Sequence, residues 1–219
     1  MDQNIFWTKK LEPITLIGDC HTFRIQLAHH YLGISSIPFR SYGKGGLKAW
    51  TYDPDRFIET DYRDEEDKSY SSIKDEGVVI IWLGYNDIKT ALPSHKDAFE
   101  TVDKLIETLN QNFTKAKIII AAPLMQFKET IMAFPGEHDE HTFGERLEQN
   151  DLFIKHLEEK ALENNFMYLS QDHISKVIGT TELDISMTEN QDKLNDGLKM
   201  HYYCKIYGLF INEAIKLQN

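Results

Sequence analysis

The sequence of 219 residues predicts a single α/β domain, spanning 1–219, in which helices cover both faces of a five-stranded parallel sheet. Three observations carry that prediction. Short apolar, strand-like runs recur along the chain, and the stretches between them place apolar residues at helical spacing. The run Gly77 to Leu83 is continuously apolar rather than alternating, which suits a strand buried on both sides. Strands and helices alternate, and right-handed βαβ units are the connection that such alternation favours.

The elements follow in order. Ile14 to Ile17 reads as the first strand, Gly18-Asp19 as a tight turn, and His21 to Leu32 as a helix carrying Phe23, Leu27 and Tyr31. Ile37 to Ser41 is a second strand, stopped by the glycine cluster Gly43 to Gly46. Asp53 to Asp75 is polar and charge-rich, so it reads as surface loop with some helix. Gly77 to Leu83 belongs at the sheet centre. Ser94 then caps a helix to Phe113 with an apolar stripe at Phe99, Val102, Leu105, Ile106 and Leu109. Lys117 to Ala121 is the fourth strand, Phe127 to Gly144 an excursion loop, and Glu145 to Asn164 another amphipathic helix. Phe166 to Leu169 is the fifth strand, and His201 to Leu217 the final helix. In such sheets the ligand crevice lies beyond the carboxyl ends of the strands, where Gly18, Gly43 to Gly46 and Gly84 to Asp87 all fall.

Composition narrows the function. With 41% hydrophobic and 27% charged residues the chain is an ordinary globular protein. Its net charge of -11 argues against nucleic acid and anionic membranes as partners, since both demand a dense cationic footprint. No apolar run is long enough to span a bilayer, and Met1-Asp2-Gln3-Asn4 does not open a secretory signal, so a cytoplasmic location is expected. Two cysteines, Cys20 and Cys204, are too few for a disulfide framework, and reduced thiols are expected.

Four ordered blocks carry a family resemblance: Gly18-Asp19-Cys20 after the first strand, Gly46 after the second, Gly84-Tyr85-Asn86-Asp87 after the third, and Asp196-Gly197-Leu198 before the last helix. Together they resemble the SGNH (GDSL-type) hydrolases, with Cys20 where the nucleophilic serine stands. The resemblance implies a three-layer, flavodoxin-like α/β/α sandwich. It also implies an acyl-transferring enzyme, either an esterase or thioesterase or an acyltransferase, that forms a cysteinyl thioester on Cys20. The family's oxyanion hole maps onto the Cys20 N–H, Gly46 and Asn86. Small-molecule or carrier-bound esters and thioesters are the substrates implied.

Acyl transfer needs a nucleophile, a base and donors aimed at the oxyanion. A helix N-terminus or a nearby imidazolium lowers a thiol's pKa, while Asp19 would oppose that if its carboxylate pointed inward. The sequence departs from the family at the base. Histidine should follow Asp196 by three residues, but Lys199 stands there, and His201 comes two residues later. Asp196 orienting His201 beside Cys20 is one arrangement; Lys199 as base, or as contact for a substrate anion, is another. A fold that has lost its triad and only binds a ligand is the competing class.

Other signals are weaker. His138-Asp139-Glu140-His141 lacks the helical spacing of a zinc site and reads as a solvated cluster, so no metal or other cofactor is expected. His29-His30 reads as a surface pair. Gly43-Lys44-Gly45-Gly46 lacks the spacing of a phosphate loop. Trp7, Trp50, Tyr85, Tyr202 and Tyr203 are candidates to line a pocket.

Overall fold

A computed structural model describes residues 10–34, 36–43, 57–59, 67–68, 70–86, 95–123, 143–179 and 196–219. The first strand, β1 (Ile14–Gly18), leads into α1 (His21–Leu32) and then β2 (Phe39–Gly43). Two short strands follow, β3 (Phe57–Glu59) and β4 (Asp67–Lys68). The remainder alternates: β5 (Val78–Trp82), α2 (His95–Asn112), β6 (Lys117–Ala121), α3 (Phe143–Glu163), β7 (Met167–Leu169), α4 (Gln171–Ile178) and α5 (Asp196–Gln218).

The sheet order is β4-β3-β2-β1-β5-β6-β7. Five strands, β2-β1-β5-β6-β7, are mutually parallel, as the sequence predicts. β3 and β4 extend the sheet antiparallel at the β2 edge. The polar segment 53–75, expected to be loop with some helix, thus holds two strands. Their two or three residues are too few for a periodicity to register.

Alternate residues of the central strands face opposite layers. Ile14, Leu16, Val78, Ile80 and Ile119 pack under α1, α4 and α5, against Ile25, Ile174, Ile206, Tyr207 and Phe210. Ile17, Val79, Ile81, Ile118 and Ile120 pack under α2 and α3, against Val102, Leu105, Leu109, Phe153 and Leu157. Both faces are therefore dry, which is why Val78 to Trp82 is apolar without a break.

α4 was not expected. Ser170 caps it by accepting the His173 N–H at 3.2 Å, and it ends at Gly179 with φ 81°. Ile174 and Ile178, four residues apart, are the apolar signal its eight residues offer, and tertiary burial completes it. At the other end of the sheet, Asp75 ties down the turn before β6: its carboxylate accepts the N–H groups of Thr114, Lys115 and Ala116 and the Thr114 hydroxyl. Partial burial pulls its pKa up, but those four donors outweigh it and hold the carboxyl down at about 2.

Candidate active site

The parallel register sets the site. Gly18, the last residue of β1, pairs with Gly43 of β2 and with Trp82 of β5. Strands β1, β2 and β5 therefore end side by side at the carboxyl rim, with Cys20 just after β1 and Asn86 just after β5. Gly43 must be glycine, because a Cβ there would collide with the Thr22 hydroxyl and the Asp19 carbonyl. That close approach brings β2 against the start of α1. Gly84 has φ 110°, and a Cβ would press on Phe153 at 2.8 Å, so the loop after β5 can turn over the rim only with glycine.

Cys20 is the N-cap residue of α1, and its own side chain does not cap. Capping falls to Asp19, whose Oδ1 accepts the His21 N–H at 2.9 Å in an Asx turn. The Asp19 carbonyl accepts both the Thr22 N–H (3.1 Å) and the Thr22 hydroxyl (2.7 Å). Spared from capping, the Cys20 side chain is half-buried at the positive end of the helix, and the thiol is free of any disulfide, as is that of Cys204. Burial pushes the Cys204 thiol up.

His21, which no sequence motif marks, is 2% exposed. Its ring stands edge-on to Tyr85, with centroids 4.3 Å apart, and its Nδ1 is 2.8 Å from the Tyr203 hydroxyl on α5. Arg24 Nη1 donates to the same hydroxyl at 3.2 Å. Burial pushes the phenols of Tyr85 and Tyr203 well up, so both stay protonated near neutrality. The Asp19 carboxylate, the Cys20 sulfur and a His21 ring nitrogen all lie within 4.8 Å of one another. The carboxylate does point inward, at 1% exposure for Asp19.

A carboxylate, a thiol and an imidazole are donor types that divalent ions also accept. Here the hydrogen bonds already made to Asp19 Oδ1 and His21 Nδ1 compete with that use. Chemically, the set places a nucleophile, an imidazole and a carboxylate within the reach of one water.

The other sequence-named residues distribute unevenly. Asn86 is buried at 7% beside Tyr85. Gly46, Asp87, Trp7, Trp50 and the cluster His138 to His141 lie outside the described residues. Asp196 and Lys199 belong to the backbone of α5, but their side chains lie outside the described ones. His201 is exposed. It precedes Tyr203 by two residues, roughly 200° around the helix, so it stands on the side of α5 away from the Tyr203, Ile206, Tyr207 and Phe210 stripe that faces the core. The pair His29-His30 is not a surface pair throughout. His29 is buried, and its Nδ1 is 2.7 Å from the Tyr207 hydroxyl, because it lies on the α1 face that packs on α5. A cavity of about 550 Å³ lies at the opposite, amino-terminal end of the strands, bordered by Pro13, Ile14, Phe39 and Arg40.

No protein-family model matches the sequence, and no curated protein matches it. Solved structures do match the fold. A protein from Bacteroides fragilis assigned as an acylhydrolase superposes with a TM-score of 0.58 at 16% identity, over 100% of this chain and 90% of that one. A GDSL-like lipase from Bacteroides thetaiotaomicron gives 0.56 at 15% identity, over 94% and 88%. The chain has the SGNH hydrolase fold. The carbohydrate acetylesterase Est24 from Sinorhizobium meliloti is similar to the same extent, with a TM-score of 0.55 at 15% identity over 91% of this chain and 99% of that one. No described helix is long and apolar enough to cross a membrane.

Proposed function

We propose that this protein is an acyl-transferring enzyme in which the Cys20 sulfur attacks an ester or thioester carbonyl and carries the acyl group as a cysteinyl thioester. The observation that carries the reading is the position of Cys20: partly exposed, its side chain not engaged in capping, at the N-terminus of α1 on the carboxyl rim of β1, an inner parallel strand. The names of the similar structures, an acylhydrolase, a GDSL-like lipase and a carbohydrate acetylesterase, support the same class of chemistry. The Cys20 N–H, the Gly46 N–H and the Asn86 amide are the proposed oxyanion donors, and the substrates are small or carrier-bound esters and thioesters. A thioester is a better acceptor than an oxygen ester for amine or thiol nucleophiles, so transfer to such an acceptor is favoured over plain ester hydrolysis.

Sequence order assigns the base to His201, oriented by Asp196, with Lys199 as the alternative. The outward position of His201, in the second turn of α5, weighs against it.

The test is acylation itself. Incubation with activated acetyl esters and with acyl thioesters should add one acyl mass to the intact protein, and Cys20→Ala should abolish the adduct. No adduct and no turnover with any donor would replace this reading with that of a ligand-binding module on an SGNH frame.

A further inference from the structure

The residue that follows the proposed nucleophile in the chain is itself an imidazole, and the fold buries it between three elements. α1 provides it, the loop after β5 lays Tyr85 against its ring, and α5 bonds it through Tyr203. The hydroxyl that bonds its Nδ1 comes from an element 182 residues away, and an arginine braces that hydroxyl from the other side. With Asp19 and Cys20 it forms a group of carboxylate, thiol and imidazole from three consecutive residues, with one donor atom of each within 4.8 Å of the others.

We propose that His21 is the proton acceptor for the Cys20 thiol, held in place by Tyr203 and Arg24 and balanced in charge by Asp19. This rests on the acyl-transfer reading only in taking Cys20 as the nucleophile. Arg24 donates to the Tyr203 oxygen, and a phenol oxygen has a second acceptor site. With His21 Nδ1–H donating there, the other ring nitrogen takes the thiol proton. One water, or a rotation of the Cys20 side chain, carries the proton between the two residues.

The steps balance. The proton passes from Cys20 Sγ to His21, leaving a thiolate and an imidazolium. The thiolate forms a C–S bond to the carbonyl carbon as the carbonyl electron pair moves to oxygen. Collapse of that adduct breaks the ester C–O bond, and the imidazolium proton goes to the departing alkoxide. Water, an alcohol or an amine then gives a proton to His21 while attacking the thioester, and the released Cys20 thiolate takes that proton back.

Among the described residues, the charged and titratable groups facing His21 are Asp19 and Cys20 in its own turn, Arg24 on α1, Tyr85 after β5 and Tyr203 on α5. Asp19 favours the imidazolium, whereas Arg24 opposes it from the far side of the Tyr203 hydroxyl. A carboxylate beside a lone thiol would suppress the thiolate; beside a thiolate and imidazolium pair it stabilises the partner.

The experiment is the pH dependence of Cys20 alkylation by iodoacetamide, read on the Cys20 peptide so that Cys204 does not interfere. In the wild-type chain Cys20 should react well below the pH range of an ordinary thiol, about 8.5. His21→Gln should slow it at least ~10-fold at slightly acid pH and return the profile to that range. Tyr203→Phe should have a smaller effect in the same direction, and His29→Gln none. An unchanged profile in a folded His21→Gln protein would overturn the proposal. Should that variant not fold, the unsubstituted chain decides: blocking Cys20 as a methyl disulfide should shift the titration of the His21 ring protons in NMR, and an unshifted titration overturns the pairing. The two readings fail differently. Alkylation that depends on His21, with no acyl donor ever labelling Cys20, removes the acyl-transfer reading and leaves the pair. Acylation of Cys20 at the wild-type rate in His21→Gln removes the pair and leaves acyl transfer.

Discussion

α1 and α5 meet through two histidine–tyrosine hydrogen bonds that are nearly identical in length and unlike in surroundings. His21 and Tyr203 are 2.8 Å apart, and His29 and Tyr207 are 2.7 Å apart. The second pair sits among rings, with Phe39 at 5.3 Å from His29 and edge-on to Tyr207. Burial there pushes the Tyr207 phenol up to about 12, and the pair serves to join two helices through a satisfied polar contact. The first pair has the same bond but adds a thiol, a carboxylate and a guanidinium at the rim of the sheet. A buried imidazole bonded to a phenol is thus a packing device by default; a nucleophile next to it is what turns it into a candidate for chemistry.

That contrast can be broken most sharply by activity. His21→Gln should lower acyl turnover on the order of 100-fold or more, the usual scale for loss of a general base, while His29→Gln should leave turnover within about 2-fold, measured with one activated ester. Equal losses in both would mean that the two pairs share a structural role.

The next effect is on stability. Tyr203→Phe and Tyr207→Phe each remove one buried hydroxyl from a histidine and should each cost about 1 kcal/mol in urea unfolding. Only the first should also reduce Cys20 alkylation. A difference of several kcal/mol between them would show that one site carries much more of the α1 to α5 packing than the other.

A third region separates acid sensitivity of the fold from titration at the site. Asp75, at the opposite end of the sheet, has its folded pKa depressed to about 2. Its contribution is present above the unfolded value of about 4 and is lost as pH falls from there towards 2. Asp75→Asn should therefore flatten the stability curve below about pH 4 and cost about 1–2 kcal/mol at neutrality, with no change in the Cys20 alkylation profile. A changed profile would couple the two ends of the sheet.

Some of the site was legible before any coordinates. The turn Gly18-Asp19-Cys20 and the residues Gly84 to Asn86 fall after β1 and β5 as the sequence predicts, because turn chemistry is local: Asp19 caps α1 with its own carboxylate, and Gly84 adopts a φ that few other residues tolerate. His21 was missed because its place in the sequence looks like the first residue of an ordinary amphipathic helix. The available signal was its adjacency to a proposed nucleophile. His29 was misplaced for a related reason, since helical period alone does not say which stripe of a helix meets a neighbour.

What the sequence alone determined is the alternation of strand and helix, the parallel five-stranded core and the rim on which Cys20 sits. Periods of two and of 3.6, and the turn residues between them, are written in neighbouring positions. Which side chains meet across α1 and α5 was decided only by the tertiary structure. The pairing of His21 with Tyr203 spans 182 residues, and it exists because two helices pack on one face of the sheet at a particular rotation. No local pattern records that rotation, since it follows from the fit of whole layers of side chains.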